Sequence, residues 1–140
     1  MGRPLRRDLL IALFVAVTWA AASFAVAGIL AVLLDRDPVE SPAPVSAGPV
    51  AVVLAGVAVW LAVGVTASAR MPWLGALAAA ASVYLVIVVI ALVGSFRLFT
   101  EQAASPFVIA AALLAAVAVV GTWAARRPPK AGLSGPTPDS

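Results

Sequence analysis

Tyr84 and Ser82 are the polar side chains whose place within a long apolar stretch gives them the best opportunity for chemistry. A buried phenol or hydroxyl can donate a hydrogen bond to a ligand or to a neighbouring helix. For the structural role, the expected acceptors for Tyr84 are Thr18, Ser23 or a carbonyl of another apolar segment. We predict an interhelical hydrogen bond at Tyr84, worth on average about 0.6 kcal/mol in a bilayer. A ligand contact through Tyr84 and Ser82 is the alternative.

Acid–base chemistry would depend on Asp35, Asp37, Arg97 and Glu101, which lie beside apolar segments rather than within them. The charged group at 35–37 is typical of a solvated loop. The sequence has no Cys and no His. This excludes thiol redox chemistry, haem or zinc held by these side chains, and Ser–His–Asp hydrolysis. We therefore predict a protein that is not an enzyme and that holds no metal and no cofactor.

The composition of the chain is that of a membrane protein. Hydrophobic residues make up 64% of the 140 residues and charged residues 11%, against about 45–50% and about 25% in soluble domains. The net charge of +3 would indicate nucleic acid if the basic residues formed aromatic-interleaved patches. They instead flank apolar segments, so we expect a lipid bilayer as the partner and no nucleic acid.

The sequence predicts an all-α, integral membrane four-helix bundle with antiparallel neighbours. Residues 1–125 form one membrane domain, and the Pro-, Gly- and Ser-rich residues 126–140 are expected to be a disordered cytoplasmic tail. The predicted spans are 9–34, 50–69, 74–94 and 107–125.

The first span is unusually long. Leu9–Leu34 contains 26 residues without a charged residue or proline, about 39 Å as a helix against a hydrocarbon core of roughly 30 Å. It must tilt or project from the bilayer, and we favour partial projection with Asp35 in water. The alternative is a signal peptide cleaved after Ala25-Val26-Ala27, although a signal peptide's apolar region is shorter.

The connecting segments predict which helices are neighbours. The turn at 70–73 is so short that spans 2 and 3 must be adjacent and antiparallel. The small-residue pairs Gly64/Ser68 and Gly75/Ala79 flank this turn, which favours spans 2 and 3 as the most closely packed pair. Residues 35–48 carry three prolines and read as a connector. Residues 95–105 are expected at the headgroup level, with Phe96, Leu98 and Phe99 in the interface and Arg97 in water.

Two tryptophans lie deep in the predicted spans, Trp19 in span 1 and Trp60 in span 2. We expect them to pack between helices or face lipid, with a cavity-lining role as the alternative. Trp73 and Trp123 lie at span ends and fit the interfacial aromatic belt.

The cations predict the orientation of the spans. Two cations, Arg36 and Arg97, fall on the side opposite the chain termini. Short cytoplasmic segments of plasma-membrane proteins are enriched in Lys and Arg, so both termini are predicted to be cytoplasmic. The seven cations on the terminal side are Arg3, Arg6, Arg7, Arg70, Arg126, Arg127 and Lys130.

The interior of the spans argues against coupled transport. Tyr84 is the one ionisable residue within them, whereas proton relays and ion sites in membranes depend on embedded charges. The small multidrug exporters use a Glu in their first helix, and nothing in Leu9–Leu34 matches it. Four-span disulfide oxidases and vitamin K epoxide reductase relatives need Cys pairs, which are absent.

The layout resembles small uncharacterised membrane proteins of high-GC actinobacteria. The resemblance rests on the basic lead, four Ala/Val/Leu-rich spans, the Pro-rich acidic loop, Ser105-Pro106-Phe107 before span 4 and the Arg-Arg-Pro-Pro tail. It implies a bacterial plasma membrane and transfers no functional residue. The first functional hypothesis is an accessory or scaffold subunit that packs against other membrane proteins or itself. The second is an oligomeric pore or a carrier of neutral or lipidic solutes, lined by Thr18, Ser23, Ser82 and Tyr84.

Overall fold

The computed structural model describes residues 3–40, 42–67 and 70–127, and this part of the chain contains five helices and no strand. The prediction of an all-α protein is confirmed. The predicted tail from residue 128 onward, with Lys130, lies outside the described residues, as does Ser68. The helices are α1 Arg3–Leu34, α2 Ala47–Thr66, α3 Pro72–Gly94, α4 Phe96–Ala103 and α5 Pro106–Ala125.

Local chemistry explains where these helices begin and end. Pro72 and Pro106 occupy the first turns of α3 and α5, where a missing backbone N–H has no helical acceptor to lose. Helix α1 ends because Asp35 adopts a left-handed conformation with φ of 48°. The N–H of Arg36 then donates to the carbonyl of Ala31 at 3.1 Å, which satisfies an end carbonyl of the helix.

Residues 95–105 differ from the prediction, because most of this segment is helical. Helix α3 stops at Ser95, whose backbone is extended, and the Ser95 hydroxyl accepts a hydrogen bond from the N–H of Leu98 at 3.1 Å. This cap starts α4, which folds back against α3. Leu98 is buried inside the protein, whereas Phe96 and Arg97 are exposed.

Four long helices form an up-down-up-down bundle in the order α1, α2, α3, α5, with α5 closing back onto α1. We call the end with Asp8, Arg70 and Arg126 the terminal face, and the end with residues 35–46 and α4 the loop face. Each helix is antiparallel to its neighbours in the ring. The α3–α5 contact is the most extensive, so spans 2 and 3 are not the most closely packed pair overall.

The bundle interior is built from small apolar side chains. Val59, Val83 and Val119 are the largest side chains that are fully buried, and alanines fill the positions between them. Small residues let helix backbones approach closely, which replaces the hydrophobic driving force that lipid removes. The central cluster consists of Ala12, Ala16, Trp19, Ala55, Val59, Val63, Ala76, Ala79, Val83, Ala115 and Val119.

Gly75 marks the closest approach of α3 to α2. A Cβ atom at this position would lie 1.9 Å from Oγ1 of the buried Thr66. Gly64 has nothing within 4 Å of such an atom, so it does not contribute to this contact. The close approach predicted at Gly75 is therefore confirmed, whereas the Gly64/Ser68 pair stays a prediction because Ser68 lies outside the described residues.

The outside of the bundle is apolar. Helices α1, α2, α3 and α5 are each long and apolar enough to cross a membrane. Large side chains such as Phe14, Leu77 and Leu113 are more than half exposed on their outer faces. An apolar surface of this extent would be unstable in contact with water, whereas the lipid hydrocarbon solvates it. The fold is that of a multi-pass membrane protein.

The first prediction concerns Gly75. Gly75→Ala should lower the free energy of unfolding in detergent by about 1–3 kcal/mol, because the new methyl group overlaps Thr66. Gly121→Ala, at a helical glycine with nothing within 4 Å, should be neutral or stabilising. Titration with sodium dodecyl sulfate, followed by circular dichroism, measures both. Equal stability of the two variants would show that α2 and α3 do not meet at Gly75.

Candidate functional site

Tyr84 bonds to a different partner from those predicted. Its hydroxyl donates to the backbone carbonyl of Ala103, in α4, at 2.8 Å. The bond therefore joins a span to the short helix on the loop face, and neither Thr18, Ser23 nor a carbonyl of another span receives it. Ser82 is half-buried on the same helix and makes no hydrogen bond with Tyr84. The two side chains that looked most reactive do not form a common site.

A network of hydrogen bonds holds residues 36–40 against α4. The buried Gln102 donates through Nε2 to the carbonyl of Pro38 at 3.1 Å. The N–H of Glu40 donates to Oε1 of Glu101 at 2.7 Å. Glu40 in turn pairs with Arg36 at 2.5 Å. These charged side chains fasten the connector between α1 and α2 across the loop face.

Below this connector lies an apolar cavity of about 200 Å³, which we call the loop-face chamber. All five helices and the connector contribute to its walls, and no ionisable side chain lines it. The exposed residues Phe24, Val39 and Gly48 line the chamber between the upper part of α1 and the start of α2. The lining residues are Trp19, Ala20, Ser23, Phe24, Ala27, Pro38, Val39, Gly48, Ala51, Val52, Ala55, Ile87, Gln102, Phe107, Val108 and Ala111.

The polar side chains in the chamber wall differ in whether they have a hydrogen-bond partner. Trp19 donates through Nε1 to the carbonyl of Ala111 at 3.0 Å, and Gln102 donates to Pro38. The Ser23 hydroxyl is buried and has no hydrogen-bond partner. Trp19 thus takes both roles considered for it, because it packs in the core and lines a cavity. Trp60 is half-buried and donates to the carbonyl of Leu9 at 3.2 Å.

The terminal face carries a partly buried ion pair. Arg126 Nη1 lies 3.4 Å from Oδ1 of Asp8, and the Arg126 side chain is 21% exposed. Its Nε and Nη2 atoms are buried without a hydrogen-bond partner. The Arg127 guanidinium lies 3.5 Å from the ring centre of Trp123. The Asp8–Arg126 pair ties the start of α1 to the end of α5, whereas the Arg127–Trp123 contact lies within the end of α5.

Six of the seven predicted topology determinants belong to the described residues, and these six collect at this same face. Arg6, Arg7, Arg70 and Arg127 are exposed there, and α1 begins at Arg3. Their common location follows from the antiparallel bundle. Within the described part of the chain, no three His, Cys, Asp or Glu side chains lie close enough together to hold a metal ion.

Sequence reasoning missed two features of these sites. Ser23 was expected as a partner for Tyr84 or as a residue lining a pore, and not as a hydroxyl without a partner, because a serine in a helix normally bonds to its own backbone. The pairing of Asp8 with Arg126 joins residues 118 positions apart, and no local spacing signals it. For Asp8, the signal present in the sequence was a lone acid among the basic residues that precede the first span.

The fold and the arrangement of these groups define a small multi-pass α-helical membrane protein whose polar side chains serve mainly to join helices. No family model matches the chain, and the comparisons with curated proteins and with solved structures found no match. The resemblance to actinobacterial membrane proteins therefore stays a prediction.

The second prediction tests the Tyr84 bond. Tyr84→Phe should free the end of α4 and lower stability by about 0.5–1.5 kcal/mol, because the phenol donates to Ala103. Amide hydrogen exchange should rise in residues 96–104 and stay unchanged in α2. Ser82→Ala, on the same helix, is the control and should leave exchange in α4 unaltered. Unchanged exchange in Tyr84→Phe would mean that the bond does not hold α4.

Proposed function

We propose that this protein is an accessory or scaffold subunit without catalysis of its own, which packs against other membrane proteins or against a second copy of itself. We further propose that it resides in the plasma membrane with both termini in the cytoplasm. Its partners are then the bilayer and another set of transmembrane helices, with no metal and no nucleic acid. The extension of α1 beyond the rest of the bundle is the observation that carries the proposal.

The contacts of α1 set the length of this extension. Trp60 Nε1 of α2 donates to the Leu9 carbonyl of α1, so these two residues lie within one side-chain length of each other along the bundle. The helical rise from Trp60 to the start of α2 at Ala47 is about 20 Å. The rise from Leu9 to the end of α1 at Leu34 is about 38 Å. Helix α1 therefore runs about 18 Å beyond the start of α2 at the loop face.

The rest of the protein buries little of this projecting part of α1. None of residues 20–34 is buried, whereas α3 has buried residues along most of its length. Val32 and Leu33 are 83% and 74% exposed. Whatever part of this apolar helix end extends past the hydrocarbon core needs a protein partner to remove it from water.

One face of the same helix suits contact with another transmembrane helix. Ala21, Ala25 and Gly28 are exposed and follow one another at spacings of four and three residues, which places them on one side of α1. A Cβ at Gly28 would meet nothing within 4 Å. Small side chains on a lipid-facing surface let a second helix approach closely.

The second candidate function, a carrier of lipidic solutes, is favoured by the loop-face chamber. A pore through one copy is not, because Val59, Val83 and Val119 close the bundle axis. A water-filled path would have to form between copies.

The third prediction tests the docking surface. A photo-crosslinking amino acid at Val32 should give discrete protein adducts in native membranes, and the same amino acid at Val93 should give none. Val93 is the matched control, because it is 84% exposed near the loop-face end of α3. Adducts identified by mass spectrometry distinguish a second copy from another protein. Equal yields at the two positions, together with a strictly monomeric particle in mild detergent, would contradict the proposal.

The fourth prediction tests the orientation. The chain has no Cys, so single cysteines can be introduced without a background. A membrane-impermeant maleimide should label Asp37→Cys on intact cells and Met71→Cys only after permeabilisation, because these exposed residues lie at opposite faces. The reverse labelling pattern would place the termini outside.

A further inference from the structure

We infer that the groove between α1 and α5 binds one phospholipid with an anionic headgroup, which places its phosphate at the terminal face and an acyl chain along the groove. This inference goes beyond the accessory function and does not depend on it, nor on which side of the membrane holds the termini. Three features support it: the charges at one end of the groove, the apolar walls of the rest, and the length of the whole.

The charged end of the groove is a cavity of about 640 Å³ at the terminal face. Arg7 of α1 is exposed there, and Arg126 directly follows α5. Asp8 pairs with Arg126 and is the one acid among the described residues of this face, so one positive charge in the lining stays unbalanced. Beside apolar groups this charge attracts an anion more strongly than it would in bulk water. The lining residues are Arg7, Asp8, Ile11, Thr122, Ala125 and Arg126.

The two arginines act on a phosphate in different ways. The Nε and Nη2 atoms of Arg126 are buried without a hydrogen-bond partner, so they do not reach a headgroup. The carboxylate of Asp8, 3.4 Å from Nη1, balances the charge of Arg126 only in part, because the Asp8 side chain is itself 53% exposed. Arg126 therefore attracts an anion through its charge, whereas the exposed Arg7 can donate to a phosphate oxygen directly.

The groove continues along the membrane-spanning part of the same two helices. A second cavity, of about 300 Å³, shares Thr122 with the first and lies against later turns of α1 and earlier turns of α5. Among the described residues, no ionisable side chain lines it, and the hydroxyls of Thr18 and Thr122 donate within their own helices. Phe14 and Val117 belong to its walls and are 72% and 66% exposed. The second cavity therefore opens on the apolar outer surface that contacts lipid, and hydrocarbon suits its walls.

The length of the groove corresponds to one leaflet of a bilayer. The lining residues on α1 run from Arg7 to Ala22, a helical rise of about 22 Å. Half of a bilayer measures about 20–22 Å, of which the hydrocarbon occupies about 15 Å and the headgroup layer the rest. A phospholipid uses both the charged end and the apolar stretch, whereas a soluble phosphate uses only the first and a neutral lipid only the second.

The orientation of the spans explains basic residues at one face, but it does not explain an apolar groove that begins at two of them. Arg70 provides the contrast. It is exposed at the same face, between α2 and α3, and does not line the groove. Arg70 therefore reports the charge of the face as a whole, and Arg7 reports the site.

The test uses the full chain in phosphatidylcholine vesicles that contain a trace of lipid with a diazirine on one acyl chain. This lipid is phosphatidylglycerol in one experiment and phosphatidylcholine in the other. After illumination, mass spectrometry maps the adducts on residues 7–22 of α1 and on residues 114–126. Adducts in these two segments should be about fivefold more frequent with phosphatidylglycerol, the equivalent of one cation near the membrane surface.

A pair of glycine variants tests the apolar part of the groove. Gly121 lines the groove and Gly64 does not, and at each glycine an added Cβ would meet nothing within 4 Å. Gly121→Leu should abolish the groove adducts of both lipids, because the new side chain fills the space of the acyl chain. Gly64→Leu, on α2, is the matched control and should leave the groove adducts unchanged.

Charge variants distinguish a site from the potential of the whole face. Arg7→Gln should lower the preference for phosphatidylglycerol about fivefold. Arg70→Gln removes the same charge outside the groove and should change the preference less than about twofold, because salt screens exposed charges. Asp8→Asn removes the acid from the lining and should raise the preference, which a loss of folding would not do.

Equal losses of preference in Arg7→Gln and Arg70→Gln would overturn the inference, since the lipid would then respond only to the charge of the face. Groove adducts undiminished in Gly121→Leu, or adducts spread evenly over the four long helices, would overturn it as well. So would competition by soluble glycerol 3-phosphate, which would identify a free phosphate as the ligand. A photo-crosslinking amino acid at Val117 that joined the groove to a second copy of the chain would also contradict it.

Discussion

The structure depends on one constraint of the bilayer interior: a polar group there must find its partner within the protein, because no water is available. The constraint first makes the chain helical. It then decides what the few polar side chains do. Thr18 and Thr122 donate hydrogen bonds within their own helices, Trp19 donates to α5, and Tyr84 donates to α4. Each of these groups donates to a backbone carbonyl, which keeps a second lone pair when the helix uses the first.

The same constraint explains why the core contains alanine and valine rather than larger residues. In water, burial of large apolar side chains drives helices together, but lipid solvates those side chains equally well. What remains is close packing, and small side chains provide it best. Gly75 against Thr66 is the extreme case, where even a methyl group would overlap. The large residues, Phe14 and Leu113 among them, therefore lie outside in contact with lipid.

The number and type of long helices could be predicted because each span is a continuous apolar run that has few alternatives in a bilayer. The third and fourth predicted spans begin within two residues of Pro72 and Pro106, where α3 and α5 start. Helix α4 was missed because Phe96–Ala103 has only eight residues and depends on the Ser95 cap and on packing against α3. The acceptor for Tyr84 was missed for the same reason, since Ala103 reaches it only when α4 folds back. Gly64 and Gly75 look alike in sequence, and only tertiary packing distinguishes them.

The projection of α1 bears on both functions considered for this protein, the accessory subunit and the carrier of lipidic solutes. A helix of 32 residues beside neighbours of 20 leaves a gap at the loop face, since α1 has no long helix beside its upper part. Residues 36–40 and α4 cover this gap, and a hydrogen bond from Gln102 to Pro38 joins these two segments. The loop-face chamber is the partly open space beneath this connector and α4, and the outer side of α1 stays uncovered. A lipidic solute in the chamber and a protein helix against Ala21, Ala25 and Gly28 would therefore contact two neighbouring faces of α1, because Phe24 of the chamber wall is close to Gly28 around the helix.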